Sequence, residues 1–322
     1  MNSRERILTA LNGKIPDRVP FFDYVDDEME VKLMGKTDYT ELDIAELMEF
    51  DAIRCKNFFP PFFIEDNKGT QSHGDGIIKI RDDLRKVKLP KLDDNFFEYP
   101  KKFIDKYGKL DYALYYRSRM GVSGVLNSMG LEGFSYAMMD DIKTVELLLE
   151  MYTEWVSELL DKTKHMGFDF VMFSDDMAYT TGPMFSPQVF KELFLPRLKK
   201  VTEHITTPWV FHSDGKLDLL MDDLLSLGMN GINPLEPESM DIEKVKKEIG
   251  HKLCLIGNIS VDTLTRGTVE EVEAQVKKRI ETIGKGGGYI VSSSNSIASY
   301  CNTKNVIAFK DAVVKYRNCY NK

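Results

Sequence analysis

Cysteine is scarce and scattered in this chain: Cys55, Cys254, Cys301 and Cys319 stand alone, with no Cys-x-x-Cys pair. That argues against a disulfide framework and against a zinc ribbon, and leaves reduced thiols as the expectation. No run approaches the ~18 consecutive apolar residues of a membrane span. The opening Met-Asn-Ser-Arg-Glu-Arg starts a charged helix and lacks the apolar core of a signal peptide, so a cytoplasmic protein is expected. Basic residues are outnumbered: 43 Lys and Arg against 51 Asp and Glu give a net charge of -8. Nucleic acid and anionic membranes demand clustered cations, so neither is an expected partner. The ligand should be small. Also missing is the glycine-rich phosphate turn that a doubly wound sheet places after its first strand. The glycine cluster Gly286-Gly287-Gly288 instead precedes the last strand candidate.

What is present is the composition of a globular enzyme with a large core, 43% hydrophobic and 29% charged. Apolar runs with strand chemistry recur at residues 19–24, 51–56, 113–118, 170–176, 209–214, 231–236, 253–258 and 289–295. Between most of them lie helical patterns, notably 144–166, 186–205 and 268–283, the last opening on the capping-box sequence Thr268-Val-Glu-Glu. Eight strands alternating with helices predict one domain, a (β/α)8 TIM barrel. Two alternating runs flanking Asn67-Lys68-Gly69 and Gly74-Asp75-Gly76 predict a small β-hairpin insertion at about 58–90, projecting from the barrel. Residues 26–30, Asp-Asp-Glu-Met-Glu, read as an acidic loop, and Gly121 and Gly124 as loosening the segment after the third strand.

The chain centres on Trp209 to Gly215, Trp-Val-Phe-His-Ser-Asp-Gly. Side chains alternate across a strand, so Val210, His212 and Asp214 share one face and end it in an imidazole and a carboxylate. Such a pair can bind a metal, pass a proton, hold a substrate, or simply pin a strand end. Barrel active sites form where strands end, and the strand ends read Asp23, Lys56 or Asn57, Arg117, Asp175 and Asp176, His212 and Asp214, Glu236, Asn258, and Asn295. Among these, His212, Asp214, Asp175, Asp176 and Glu236 are suited to acid–base or metal work. Asp23, Arg117, Asn258 and Asn295 are suited to holding a substrate. A metal set of His212 and Asp214 completed by Glu236, with Asp175 or Asp176 as the other choices for the third oxygen, would be harder than a thiolate site.

Several stretches resemble the uroporphyrinogen decarboxylase superfamily: Arg-Glu-Arg-Ile-Leu-Thr-Ala-Leu-Asn-Gly-Lys-Ile-Pro-Asp-Arg-Val-Pro near the start, Phe-Ser-Asp-Asp-Met, Ser186-Pro187 with Leu195-Pro196, Phe211-His-Ser-Asp-Gly, Asn233-Pro-Leu-Glu-Pro and Leu255-Ile-Gly-Asn. The resemblance spans nearly the whole chain and implies a barrel and a dimer. It also implies either decarboxylation of a porphyrinogen or methyl transfer between a small molecule and a corrinoid on a partner protein. True decarboxylases carry an arginine-rich Arg-Gln-Ala-Gly-Arg-Tyr element after the first strand, and here that place holds the acidic residues 26–30. The zinc-dependent thiol-methylating branch carries His-x-Cys and a later cysteine as ligands. Here His212 matches, Asp214 stands at the first cysteine position, Asn295 near the second, and Cys301 is several residues too late. These departures favour a corrinoid-dependent methyltransferase with an O-methyl (or N- or S-methyl) donor, with zinc as an expectation short of its thiolates. A decarboxylase using Asp51 or Asp23 with Arg54 or Arg117, and a non-catalytic binding barrel, stay open.

Overall fold

In a computed structural model, residues 1–56, 58–65 and 75–319 are described. Among the described residues nine strands follow one another: β1 (Ala52–Cys55), β2 (Ala113–Ser118), β3 (Phe170–Ser174), β4 (Ala178–Tyr179), β5 (Gly182–Pro183), β6 (Trp209–Ser213), β7 (Gly231–Pro234), β8 (Cys254–Ile259) and β9 (Tyr289–Ser293). Seven form one parallel sheet in the order β1-β2-β3-β6-β7-β8-β9, and β4 pairs antiparallel with β5. The sheet curls until residues 20–25 bridge its edges. Phe21 pairs in parallel with Val291 of β9, Ile297 N–H donates to Tyr24, and Asp51 N–H, entering β1, donates to the Phe21 carbonyl at 2.6 Å. This extended segment lies in the eighth barrel position, bridged to the β9 side and joined to the β1 side by the one Asp51–Phe21 bond.

The interior fills in layers, as alternation requires. The rings of Tyr115 and Phe170 stack nearly parallel 4.7 Å apart, and Phe22 meets Tyr115 edge-on at 5.3 Å and Phe170 at a tilt at 5.5 Å. Two residues further along each strand stand Tyr24, Arg117 and Met172, and then Ser174, whose strand partner is His212. Interior polarity thus rises toward the C-terminal ends of the strands, the mouth. At the other end Gly286, Gly287 and Gly288 all take positive φ in the turn before β9, beside Lys14 and Ile15. They are a structural turn on the face away from the mouth.

The helices mostly follow the predicted apolar spacing. The capping box at Thr268 forms with Glu271 ahead of helix Val269–Thr282. The long helix runs Ile142–Thr163 and buries Val145, Leu148, Leu149, Tyr152, Val156 and Leu159. The predicted 186–205 helix is interrupted. Residues Phe190–Phe194 make a π-turn, with Leu195 N–H donating back to Phe190, and Leu195–Thr202 resumes as an α-helix around Pro196. Proline lacks the N–H that an unbroken ladder needs there.

Two expectations are corrected. The acidic stretch is a helix, Asp27–Met34, with Asp27, Glu28 and Glu30 in its first turn, where the helix dipole favours negative charge. The segment after β2 is also a helix, Val122–Met129; Gly124 does not loosen it but lets Tyr152 close in, since a Cβ there would lie 2.8 Å from that ring. Of the predicted insertion, Ile64 and Gly76 form an antiparallel bridge, while the turn residues 67–74 lie outside the described residues. The base is anchored: Phe63 N–H donates to Ser128 Oγ, and Ile78, fully buried, donates to the Ser128 carbonyl.

Candidate active site

His212 is set by β6 at the mouth, buried to 4% exposure. Its Nδ1 lies 2.5 Å from Asn233 Oδ1, and Asn233 Nδ2 donates to the Ile256 carbonyl, so the amide must present its oxygen to the ring. Nδ1 therefore carries the proton and Nε2 keeps its lone pair. That lone pair faces Asp214 Oδ1 at 3.6 Å and Asp176 Oδ1 at 3.9 Å. The three residues are, among the described residues, the group that could hold a metal, with one ligand atom from each lying within 4.8 Å of the others.

Each carboxylate is positioned by its own contacts. Asp214 takes Asn295 Nδ2 on Oδ2 at 2.5 Å, while its buried Oδ1 accepts no hydrogen bond among the described residues. Asp176 is half-exposed and accepts the Asp214 N–H at 3.1 Å. The turn after β6 holds Gly215 at φ +83°, where a Cβ would sit 2.5 Å from the Ala178 carbonyl, and its N–H donates to Glu236 Oε2. The β4–β5 hairpin thus packs tightly on this turn.

Burial shapes the charges. Loss of solvent, reinforced by the Arg117 guanidinium, holds His212 below the ordinary imidazole pKa. Loss of solvent, reinforced by Asp176 and Glu236, pushes the Asp214 carboxyl upward. An unpaired imidazole lone pair beside an unpaired carboxylate oxygen wants a cation between them, either a proton or a metal. Two ligands ~2.1 Å from a tetrahedral ion lie roughly 3.4 Å apart, close to the 3.6 and 3.9 Å separations here. The nitrogen-plus-carboxylate donor set fits zinc, though less softly than thiolates would.

The other candidates are placed differently. Asp175 is fully buried and accepts from Met120 N–H at 2.5 Å and Ser123 N–H at 2.7 Å, fixing the start of helix Val122–Met129; burial raises its pKa to about 6. Glu236 receives Gly215 N–H and Ser239 Oγ and stands outside the three-atom group, so Asp176 takes the third position that the metal set gave to Glu236. Asp23 receives Ser293 N–H, Ser293 Oγ and Tyr24 N–H, completing barrel closure; burial raises its pKa to about 7. Asn258 donates to the carbonyls of Pro234 and Leu235. Arg117 donates through Nε and Nη2 to Ser174 Oγ and stands within electrostatic reach of His212 and Asp214. Asp51 lies at the far end of the barrel, paired with Arg6 and Arg18. Cys301 engages Thr265 and is outside the group, and Asn57 is outside the described residues.

Sequence reasoning left three participants unassigned: Asn233, which fixes the histidine tautomer, and the residues Arg119 and Tyr24 near Arg117. Asn233 sits in the quoted Asn-Pro-Leu-Glu-Pro run, and Arg119 follows Arg117 at the strand spacing of two. Those signals were available.

A model of the uroporphyrinogen decarboxylase (URO-D) family matches residues 123–316. The chain belongs to the uroporphyrinogen decarboxylase family. Among family relatives, a Methanosarcina barkeri protein named methylcobamide:CoM methyltransferase MtaA is 27% identical over 172 residues, 53% of this chain and 49% of that protein. The uroporphyrinogen decarboxylase of Shewanella halifaxensis is 22% identical over 204 residues, 61% of this chain and 55% of that one. The chain spans about half the length of the curated relatives it matches. A solved methyltransferase from Methanosarcina mazei superposes with a TM-score of 0.77 at 20% identity, covering 98% of this chain and 99% of that one. At that identity the likeness shows the barrel fold. The family match takes in every strand from β3 on, and with them His212, Asp214 and Asp176.

Proposed function

We propose that this chain is a corrinoid-dependent methyltransferase, moving a methyl group from a small O-methyl (or N- or S-methyl) donor to cobalamin on a separate protein. The observation that carries the reading is the convergence of His212 Nε2, Asp176 Oδ1 and Asp214 Oδ1 at the barrel mouth. The name of the Methanosarcina barkeri relatives supports the methyl and cobamide parts of it. Breaking a methyl ether leaves an oxygen that must be stabilised by a proton or a Lewis acid. His212, Asp176 and Asp214 would hold zinc, which when bound supplies that Lewis acidity. The chain's own contribution is orientation: Asn233 holds Nε2 toward the leaving oxygen and Asn295 holds Asp214 Oδ1 there. In the metal-free version, the upward-shifted Asp214 carboxyl keeps a proton at Oδ1 and gives it to the departing oxygen.

The decarboxylase alternative has less support in its aspartates, because Asp51 is at the opposite end, paired with Arg6 and Arg18, and the Asp23 oxygens accept from Ser293 and Tyr24. The test is an anaerobic incubation of methyl ethers, methylamines and thioethers with cob(I)alamin, followed by its absorbance change. Methylation with at least one donor is expected, and coproporphyrinogen should not appear from uroporphyrinogen. Formation of coproporphyrinogen at ordinary enzyme rates would replace this reading with the decarboxylase one. Inertness toward both panels would leave a binding barrel. Metal analysis and chelator treatment of active protein separate the zinc version from the proton version.

A further inference from the structure

Beside the His212 group the mouth holds guanidinium charge without carboxylate partners. Arg117 has five N–H donors, of which the Ser174 hydroxyl alone receives any among the described residues. Arg119 gives one to the Pro60 carbonyl at 3.3 Å and makes no ion pair among the described residues. Burial lowers the pKa of both, that of Arg119 to about 10, so each is partly stripped of water without a matched anion in contact. Elsewhere in the chain, buried guanidinium groups meet carboxylates directly, as Arg6 does with Asp51 at 2.7 Å.

The stacking of these two side chains says what would complete them. Arg119 lies between Phe59 and Phe62, 4.2 and 4.1 Å from the ring centroids. Arg117 covers Tyr24 at 4.5 Å and lies 5.8 Å from Phe59. Aromatic rings on the faces of a guanidinium leave only its in-plane N–H edge for a ligand. That edge matches a planar or tripodal oxyanion in bidentate fashion. A cavity of about 510 Å³ opens beside Arg117, which lines it with Tyr24, Arg54, Phe59, Phe96 and the ion-paired Asp27 and Lys56, whereas Arg119 shares the Phe59 ring but is not among the walls. Its size is that of a small-molecule site, and its aromatic walls suit a ring. Arg117 is both a wall of this cavity and a hydrogen-bond partner of Ser174, the strand neighbour of His212.

We infer that Arg117, with the charge of Arg119 beside it across Phe59, forms the anion subsite for a small ring-bearing substrate, Arg117 gripping its carboxylate or sulfonate while its transferable methyl faces His212. The inference rests on the methyl-transfer reading for the role of that methyl. The subsite itself stands on the arginines, the rings and the cavity. These arginines come from β2 and the residue after it, whereas the family's decarboxylases carry theirs after the first strand.

Calorimetric titration of the intact protein with 3-methoxybenzoate, 3-methoxybenzenesulfonate and the neutral 3-methoxybenzamide tests it without requiring turnover. At least one of the two anions should bind tenfold or more tighter than the amide, and which one does identifies the oxyanion. Arg117→Gln should bring the anion down to the affinity of the amide and leave the amide unchanged. Arg119→Gln provides the same test should the Arg117 variant fail to fold. Equal affinity of anions and amide, binding by none of the three, or an anion preference that survives both substitutions would overturn the subsite. Anion-selective binding with no methyl transfer to cob(I)alamin would support the subsite and count against the methyl-transfer reading alone.

Discussion

At the end of the barrel away from the mouth, Asp51 is fully buried and receives Arg6 at 2.7 Å, Arg18 at 2.9 Å, Ser3 Oγ at 2.7 Å and Phe21 N–H at 3.0 Å. Arg6 in turn grips Asp17, which also takes the N-terminal ammonium. At the mouth, among the described residues, Arg117 and Arg119 donate only to a hydroxyl and a carbonyl, Asp214 Oδ1 accepts nothing, and the His212 lone pair faces two carboxylates. One end satisfies its buried charges within the chain. The other keeps them poised for something that arrives. Unmatched buried polar groups cost stability and persist where function needs them, so changes at the two ends should separate into losses of stability and losses of activity.

The largest separation on the stability side is expected from Asp51→Ala. It strands Arg6 and Arg18 and should cost roughly 3–5 kcal/mol in urea unfolding. Protein that remains folded should keep its turnover. A loss under about 1 kcal/mol would mean that this network is no more than a surface pair. At the mouth, Asn295→Ala frees Asp214 to swing and should lower turnover about 10–100-fold, as loss of an orienting partner does. Its unfolding free energy should stay within about 0.5 kcal/mol of the parent. A matching fall in stability would place Asn295 with the structural residues.

The two ends should also respond oppositely to pH. Burial opposes ionisation of Asp17, but Arg6 and the N-terminal ammonium outweigh it and hold this carboxyl well below its usual range. Its contribution is therefore full above the unfolded pKa of about 4 and is lost as pH falls below that. Asp175 is raised to about 6 by burial, with the Ser123 and Met120 N–H groups offsetting only part of it. The folded state then binds that proton more tightly than the unfolded one, so stability declines as pH rises from about 4 to 6 and is level above. Asp23, raised to about 7 by burial, extends the decline by a further unit. Urea midpoints between pH 3 and 8 should peak near the acid side of this range. Asp17→Asn should flatten the acid limb only, and loss of the neutral limb in that variant would contradict the assignment. The smallest effect is expected from Arg266→Ala, since the pair with Asp262 is 80% and 62% exposed; a change under about 0.5 kcal/mol is anticipated by thermal melting.

Much of this was legible in the residues. Apolar runs bounded by turns located the barrel strands, because period and length distinguish strands from helices. The His212–Asp214 alternation told which side chains share a face. The third member of the group could not be resolved between Asp175, Asp176 and Glu236, because adjacent carboxylates at a strand end differ only in which way the chain turns. Asp175 turns inward to hold two N–H groups and Asp176 turns to the mouth. The acidic run at residues 26–30 looked like a loop because its charges hid the helix; Met29, buried beneath it, is what anchors that helix. Arg119 carried only its spacing of two from Arg117, and its ring neighbours Phe59 and Phe62 come from a distant part of the chain.

The central claim is that His212, with Asp176 and Asp214, is the reacting centre and supports little of the fold. Single-turnover methyl transfer to cob(I)alamin by His212→Ala, run beside its near-ultraviolet circular dichroism, tests it directly. The account predicts a native spectrum with transfer reduced by about 10²–10⁴-fold, because the substitution removes a zinc ligand in one version and the neighbour of the proton-donating Asp214 in the other. Transfer at the parent rate in a folded His212→Ala protein would contradict it.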